Sequence, residues 1–485
     1  MKKTLFLLAA LAACVAAAQV SPLDYGLREA QGGMGRYFAL LNAHRAALEM
    51  GEEVDYTGID TLRIELPPDF KSIPIGPRTD FGGLVLYVTN NARHGALFTM
   101  SHSTDSVAVD GADIDRLDFS GVPQLAVGRK LLVLRDLTPW TERRGFGYKH
   151  YRSDIVEVAD GHGLNRTIAP WGTESTSVAA TVAEADTAAK VFRNVTMHRT
   201  EGSTYKTYLL SLSHVSNFTV ERVRITTPRS RMIADAAISV SNSVHVRLRD
   251  IRVEGTYSGY GSTRNYGYAF LLNNIYDLRC DSIVAWGNWG VFGCNNMNGS
   301  LLENCDIDRY DVHCYGRDIA MRRCRLSGRQ IPISSIYGLV SFDSCTFDNF
   351  TPVRIRASYN AYTPFDVAMS HCTFKLSVRC HSLVQVDLLD TADNPRPELA
   401  EKCLPNLDVD GLTVVVPLTV GRMNIFNPKG NLDDLRRQWG HIGRVTIDGL
   451  RLQRAGGRPV KVPVRTSTHD IKTKMEVGYE VRMAE

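Results

Sequence analysis

Ile319-Ala320-Met321-Arg322-Arg323-Cys324-Arg325-Leu326, Val340-Ser341-Phe342-Asp343-Ser344-Cys345-Thr346-Phe347 and Val367-Ala368-Met369-Ser370-His371-Cys372-Thr373-Phe374 are one pattern written three times. It reads apolar, x, apolar, x, x, apolar or Cys, x, apolar. Phe218-x-Val220-x-x-Val223-x-Ile225 and Val246-x-Leu248-x-x-Ile251-x-Val253 fit it upstream, and Val445-x-Ile447-x-x-Leu450-x-Leu452 fits it downstream. The key position recurs at Val195, Val223, Ile251, Ile283, Cys305, Cys324, Cys345, Cys372, Leu412 and Leu450. The steps are mostly about 19 to 32 residues, within the repeat-length range of solenoids. Alternation with period two says strand, and no repeat holds a helical face. Short strands joined by Gly, Asn, Asp and Ser turns, without crossover helices, predict an all-β fold: a single right-handed parallel β-helix. Propeller blades, the alternative, run about 40 residues with four strands each.

Stacking the repeats puts Cys305, Cys324, Cys345 and Cys372 in one register, as an inward ladder of small apolar side chains. No tight Cys-x-x-Cys or Cys/His cluster of the zinc type occurs.

The ends read differently. Lys2 and Lys3, the apolar run Leu5 to Ala13 and Ala16-Ala17-Ala18-Gln19 form a secretory signal with cleavage after Ala18. The alternative uses Leu11-Ala12-Ala13-Cys14 as a lipobox, with the chain anchored through Cys14. Either way the expected location is periplasmic or secreted, without a transmembrane segment. Residues 37–49 read as an amphipathic helix with Phe38, Leu41 and Leu48 near one face. The expected organisation is signal 1–18, helical N-terminal cap and first rungs 19–120, β-helix 121–455, and a strand-like tail 456–485 packed along the side.

Composition narrows function. The 485 residues are 44% hydrophobic and 22% charged, which excludes disorder, collagen and coiled coil. A formal charge of +4 does not argue for nucleic acid. About three-quarters of the 56 cationic residues are Arg, the side chain that meets carboxylates and sulfates with a planar fork. Aligning Asp311-Val312-His313-Cys314-Tyr315 over Gln330-Ile331-Pro332-Ile333-Ser334 and Pro352-Val353-Arg354-Ile355-Arg356 puts Asp311, His313 and Tyr315 outward, with Arg354 and Arg356 two rungs on. Arg317 follows on the same strand. Two Gly/Ser/Tyr loops flank this face, carrying Tyr257 and Tyr260 in one and Tyr359 and Tyr362 in the other, suited to stacking on sugar rings. Such a face suits an anionic polymer and proton abstraction.

The signal, the helical cap, the rung series and turns such as Asn304-Cys305-Asp306-Ile307 resemble secreted β-helix polysaccharide lyases of the pectate-lyase-like superfamily. Thr57-Gly58-Ile59-Asp60 through Pro67-Pro68, and Leu137-Thr138-Pro139-Trp140, are similar to segments of periplasmic glycan-degrading proteins. The resemblance implies β-elimination on a uronic-acid polysaccharide, a glycosaminoglycan of chondroitin or hyaluronan type over pectin, by a monomer. In that scheme His313 is the base and Tyr315 the acid, or Tyr315 is both. Arg354 and Arg356 neutralise the uronate, Asp311 orients its neighbours, and Arg317 with the loop tyrosines binds substrate. The metal is open: no cofactor is required by the residues, and calcium stands as a possibility, although Arg325 falls beneath Asp306 where a pectate lyase has its acidic trio. Two rival readings remain. One is a glycoside hydrolase resembling polygalacturonases through Gly161-His162-Gly163. The other is a glycan-binding β-helix without catalysis.

Overall fold

The computed structural model describes residues 19–143, 148–172, 178–200, 207–227, 237–254, 268–286, 290–327, 331–333, 336–348, 353–356, 365–376, 382–387, 403–404, 406–429, 441–442, 444–467 and 479–483. The leader, Cys14 and the loop residues Tyr257, Tyr260, Tyr359 and Tyr362 lie outside this set.

The described strands stack in parallel into a β-helix. In the central ladder Val195 pairs with Val223, Val223 with Ile251, and Ile251 with Ile283. The adjacent pairs Val284 with Asp306, Asp306 with Arg325, Arg325 with Thr346, Thr346 with Thr373, and Thr373 with Thr413 carry the same register to the far end. The residue before each key position turns the corner in the left-handed region: Asn194, Arg222, Asp250, Ser282, Asn304, Arg323, Ser344 and His371, then Gly411 and Gly449. This explains the doubled x of the pattern. One x points out of its strand, and the next bends the chain so that the following apolar side chain again points in.

Each rung has three faces. The first holds 210–213, 238–241, 270–273, 292–295 and 310–314, and continues after a break in the ladder as Ile331–Ile333, Val353–Ile355, Ser382–Asp387, Met423–Lys429 and Val464–Ser467. The second holds 218–221, 246–249, 278–281, 300–303, 319–322 and their successors. The third follows each left-handed corner. Inward side chains stack as like on like: Phe270 lies 4.9 Å from Phe292, and Phe292 5.4 Å from Tyr310, between ring centroids. Such layers keep the lumen dry and closely packed.

Cys280, Cys294, Cys305, Cys314, Cys324, Cys345 and Cys372 are buried and free of disulfides. Burial pushes the Cys314 thiol up to about 12. Thiol labelling should therefore leave these side chains untouched in the native protein and reach them after denaturation. Strong native labelling at residues 305, 324, 345 or 372 would contradict the packed ladder.

The helical cap is Gly32–Met50. Its buried face carries Tyr37, Leu40, Leu41, His44 and Ala47, whereas Phe38 and Leu48 are exposed. The apolar residues alone misplaced the face, because small Ala and a histidine share it. His44 Nε2 meets Tyr56 Oη at 2.6 Å, and burial drives its pKa down to about 3, so it packs as a neutral ring. The tail also departs from expectation. Val464–Ser467 extends the first face, and Tyr479–Met483 pairs in parallel with Val445–Gln453, so the tail adds a last rung instead of lying along the side.

The larger correction concerns residues 105–184. They leave the helix and form an antiparallel five-stranded sheet: Asp105–Val107, Arg129–Asp136, Ser153–Ala159, His162–Gly163 and Val178–Glu184. The sheet has its own core of Ile114, Phe119, Leu125, Leu132, Leu134, Val156, Val158 and Trp171. It lies against the corner between the first and second faces, where Leu131, Ile155 and Ala183 cover Val244. Gly161-His162-Gly163 runs from the turn after Ser153–Ala159 into the short strand His162–Gly163. A Cβ on Gly161 would stand 2.8 Å from Ser120 Cα, so the glycine serves packing there.

His245 fastens the insertion to the helix. Its Nε2 lies 2.9 Å from Glu157 of the insertion, and its Nδ1 lies 2.9 Å from Asp277 of the next rung. The bonds to Asp277 and Glu157 raise its pKa to about 9. A raised cationic group contributes its stability in full below the unfolded value of about 6.5 and loses it as pH rises through the folded value. The thermal midpoint should therefore fall between pH 7 and 10, and His245→Ala should flatten that part of the profile. Parallel profiles for the two proteins would remove the latch.

Candidate functional site

The site lies where the ladder of the first face breaks. Tyr268–Trp286 pairs with Gly290–Glu303, which pairs with Tyr310–Arg322, yet Cys294 meets Val312 while Asn295 meets Cys314. His313 is the extra residue. A bulge of this kind re-aims a side chain and often ends pairing. It turns His313 toward Tyr268, which lies across Gly293. A Cβ on Gly293 would stand 3.0 Å from the Tyr268 ring, so glycine makes room for the phenol.

Tyr268 Oη is 2.9 Å from His313 Nε2 and donates at 3.2 Å to Asp311 Oδ2. The two rings meet edge to face, 5.6 Å apart. Asp311 is fully buried. It accepts from Arg309 on its Oδ2 and from Arg356 Nη1 at 3.2 Å on its Oδ1, and His313 Nε2 lies 3.2 Å from Oδ2. Burial alone would raise its pKa. His313, Arg309 and Arg356 outweigh burial and hold it well below the usual carboxylate range. One fixed negative charge thus serves two arginines and a histidine, leaving the cluster cationic at its rim. His313 keeps 18% of its side chain exposed and Arg356 13%.

Arg354 lies two strand positions from Arg356 and so shares its outward parity, between Pro332 and Gln385 in the ladder. Described contacts join Asp311, His313 and Arg356, and Arg354 shares the outward parity of Arg356 on the same strand. Asp311 opposes Gly293 in the ladder, one pair before the bulge.

Tyr315 does not join them. It sits at the corner, with φ 59°, in line with His214, Asn242, Asn274 and Asn296 on the preceding rungs. The corner turns it under the insertion, where it is buried against Trp140 and donates to Asp154 Oδ2 at 3.2 Å. Burial raises Asp154 to about 7, so this is an internal network closed to a polymer. Arg317 is likewise spent on structure: its Nη1 donates to the Ile168 carbonyl at 2.7 Å, tying rung to insertion. Tyr268 is the member that parity missed. Its signal was the nearby Gly293, whose missing side chain leaves space only if something bulky lies above it.

Asp306 is taken by Arg325, 3.6 Å away, and no group of three metal-ligating side chains occurs among the described residues. The described acidic residues do not fit a calcium cradle of the pectate-lyase kind.

Among solved structures the chain is similar to the tailspike gp49 of Pseudomonas phage LKA1, with 13% identity and a TM-score of 0.57, covering 95% of this chain and 84% of that one. It also matches the tailspike gp54 of Acinetobacter baumannii bacteriophage AP22, at 8% identity and a TM-score of 0.49, covering 95% and 79%. The surface adhesin PfbA of Streptococcus pneumoniae matches at 9% identity and a TM-score of 0.42, covering 96% and 93%. The first likeness shows a shared fold. No family model matches the sequence, and no curated protein matches it.

Proposed function

We propose that the protein is an exported, monomeric polysaccharide lyase acting on a uronic-acid-containing polymer, of glycosaminoglycan type over pectin. The observation that carries this reading is the Tyr268–His313 pair, 2.9 Å apart, beside the arginine-held carboxylate of Asp311. β-Elimination needs a base at the uronate C5–H, an acid at the glycosidic oxygen and positive charge at the carboxylate. His313 takes the C5 proton, and the C–H electron pair becomes the C4–C5 double bond. The C4–O bond breaks, and Tyr268 donates its proton to the departing oxygen, which stays with the neighbouring sugar as a new reducing end. Proton transfer back from His313 to Tyr268 resets the pair. The carboxylate acquires a second negative charge in the transition state. Arg356 and Arg354 are the groups placed to meet it, and preorganised charge of this kind is usually the largest catalytic contribution.

Hydrolysis needs two carboxyl groups flanking the bond, one of them protonated. Asp311, the carboxylate at this site, is buried, ionised and shared between arginines, which disfavours that role. Incubation with chondroitin, hyaluronan, polygalacturonate and a neutral glucan tests the proposal. Ultraviolet absorbance from the unsaturated uronate should grow with an acidic polymer and be absent with the glucan. Reducing ends without absorbance would replace this reading with hydrolysis.

A further inference from the structure

The second face carries a groove of about 550 Å³, removed from the Tyr268–His313 cluster, along which Val191, Thr219, Arg247, Arg279 and Leu301 stand in one outward row on successive rungs. Arg247 pairs directly with Arg279 on the next rung, Arg249 stands two residues along, and Arg78 reaches in from the strand beside Val191. Paired positions on neighbouring strands put side chains about 5 Å apart, and like charges directly opposite are destabilising. The carboxylates of the same groove do not relieve this. Glu221 is held by Arg222 at 2.7 Å, Asp281 accepts from Asn304 at 2.8 Å, and Glu303 is held by Arg323 at 3.3 Å. Arg249 approaches Asp281 only to 3.9 Å, and Arg279 turns sideways to Asp277 at 2.7 Å. Arg247 is exposed and has no ion-pair partner among the described residues.

We infer that this groove is a second, non-catalytic site for the carboxylate or sulfate groups of an anionic polysaccharide. Guanidinium forks on adjacent rungs bridge one such group bidentately, which removes the repulsion between Arg247 and Arg279, while Leu301, on the rung beyond Arg279, offers an apolar contact to a sugar ring. The site would hold the polymer to the protein while the first face works on another stretch of it. That last role rests on the lyase reading, whereas the anion site itself does not.

The test measures binding without turnover. In the His313→Ala background, affinity electrophoresis through gels containing chondroitin sulfate, hyaluronan or dextran should show retardation by the two acidic polymers and none by dextran. Retardation should weaken with salt. Arg247→Gln with Arg279→Gln should cut the affinity for the acidic polymers by roughly tenfold or more. The thermal midpoint is measured alongside, because Arg279→Gln also removes the 2.7 Å ion pair to Asp277. Arg247→Gln alone, at an exposed position, should give a smaller loss and serves if the double variant folds poorly. Stronger retention by chondroitin sulfate than by hyaluronan assigns the site to sulfate, and equal retention assigns it to carboxylate. Unchanged retention in both variants overturns the inference. A protein that makes no unsaturated product but loses binding in the arginine variants keeps this site and loses the lyase reading.

Discussion

Replacing His313 by alanine is expected to slow cleavage of an acidic polysaccharide by about a hundredfold or more, since a positioned base contributes that much. The substitution removes the acceptor of the C5 proton and the partner that places Tyr268 Oη. Tyr268→Phe should lose a comparable factor, because the leaving oxygen then departs unprotonated. The double variant should be little worse than either single one, as expected of residues acting as a unit. The fold should survive, because His313 is on a bulge outside the ladder and none of the packed layers depends on it. Turnover and thermal midpoint measured together separate the two effects. Full turnover in His313→Ala would move the chemistry elsewhere.

Asp311→Ala is expected to cost stability instead, by about 3 to 5 kcal/mol, the usual result of removing one member of a buried charge cluster. Arg309 and Arg356 both point at this carboxylate, with only 8% and 13% of their side chains exposed. Without Asp311 two guanidiniums share a nearly dry site with no counter-charge. Arg356 would also lose the bond that aims it, so activity should fall along with stability. The sign of the pH dependence follows from the depressed pKa. A carboxylate lowered on folding contributes above its unfolded value, and the contribution is lost as pH falls toward the folded one. The parent should therefore lose stability in acid more steeply than Asp311→Ala. A midpoint within about half a kcal/mol of the parent's would show that the cluster is not buried as described, since only open surface sites behave so.

The ladder was legible because a parallel β-helix writes its period into the chain. A left-handed corner precedes every key residue, so the spacing apolar-x-x-apolar survives even where strand lengths differ. The first face was read less well. Its strands are separated by loops of unequal length, and the bulge at His313 shifts the register, which alternation cannot reveal. Parity put Tyr315 outward with Asp311 and His313, but the chain turns a corner there and reverses the sense of the side chain. The insertion escaped notice for another reason. Its alternating stretches, such as Arg129–Asp136 and Ser153–Ala159, look the same whether a strand pairs parallel or antiparallel. Partner choice depends on the fold's third dimension. Tyr268 was hidden in the same way, since its ring reaches His313 across Gly293, three residues along from its ladder partner Gly290.

The central claim is that the bond breaks by elimination at the Tyr268–His313 pair. Mass spectrometry of the oligosaccharides released in water enriched in the heavy oxygen isotope tests it directly. Elimination predicts products lighter by one water than hydrolysis would give, with no heavy oxygen fixed at cleavage, and their loss in Tyr268→Phe. Products carrying one added water with heavy oxygen at the cleaved position would contradict it.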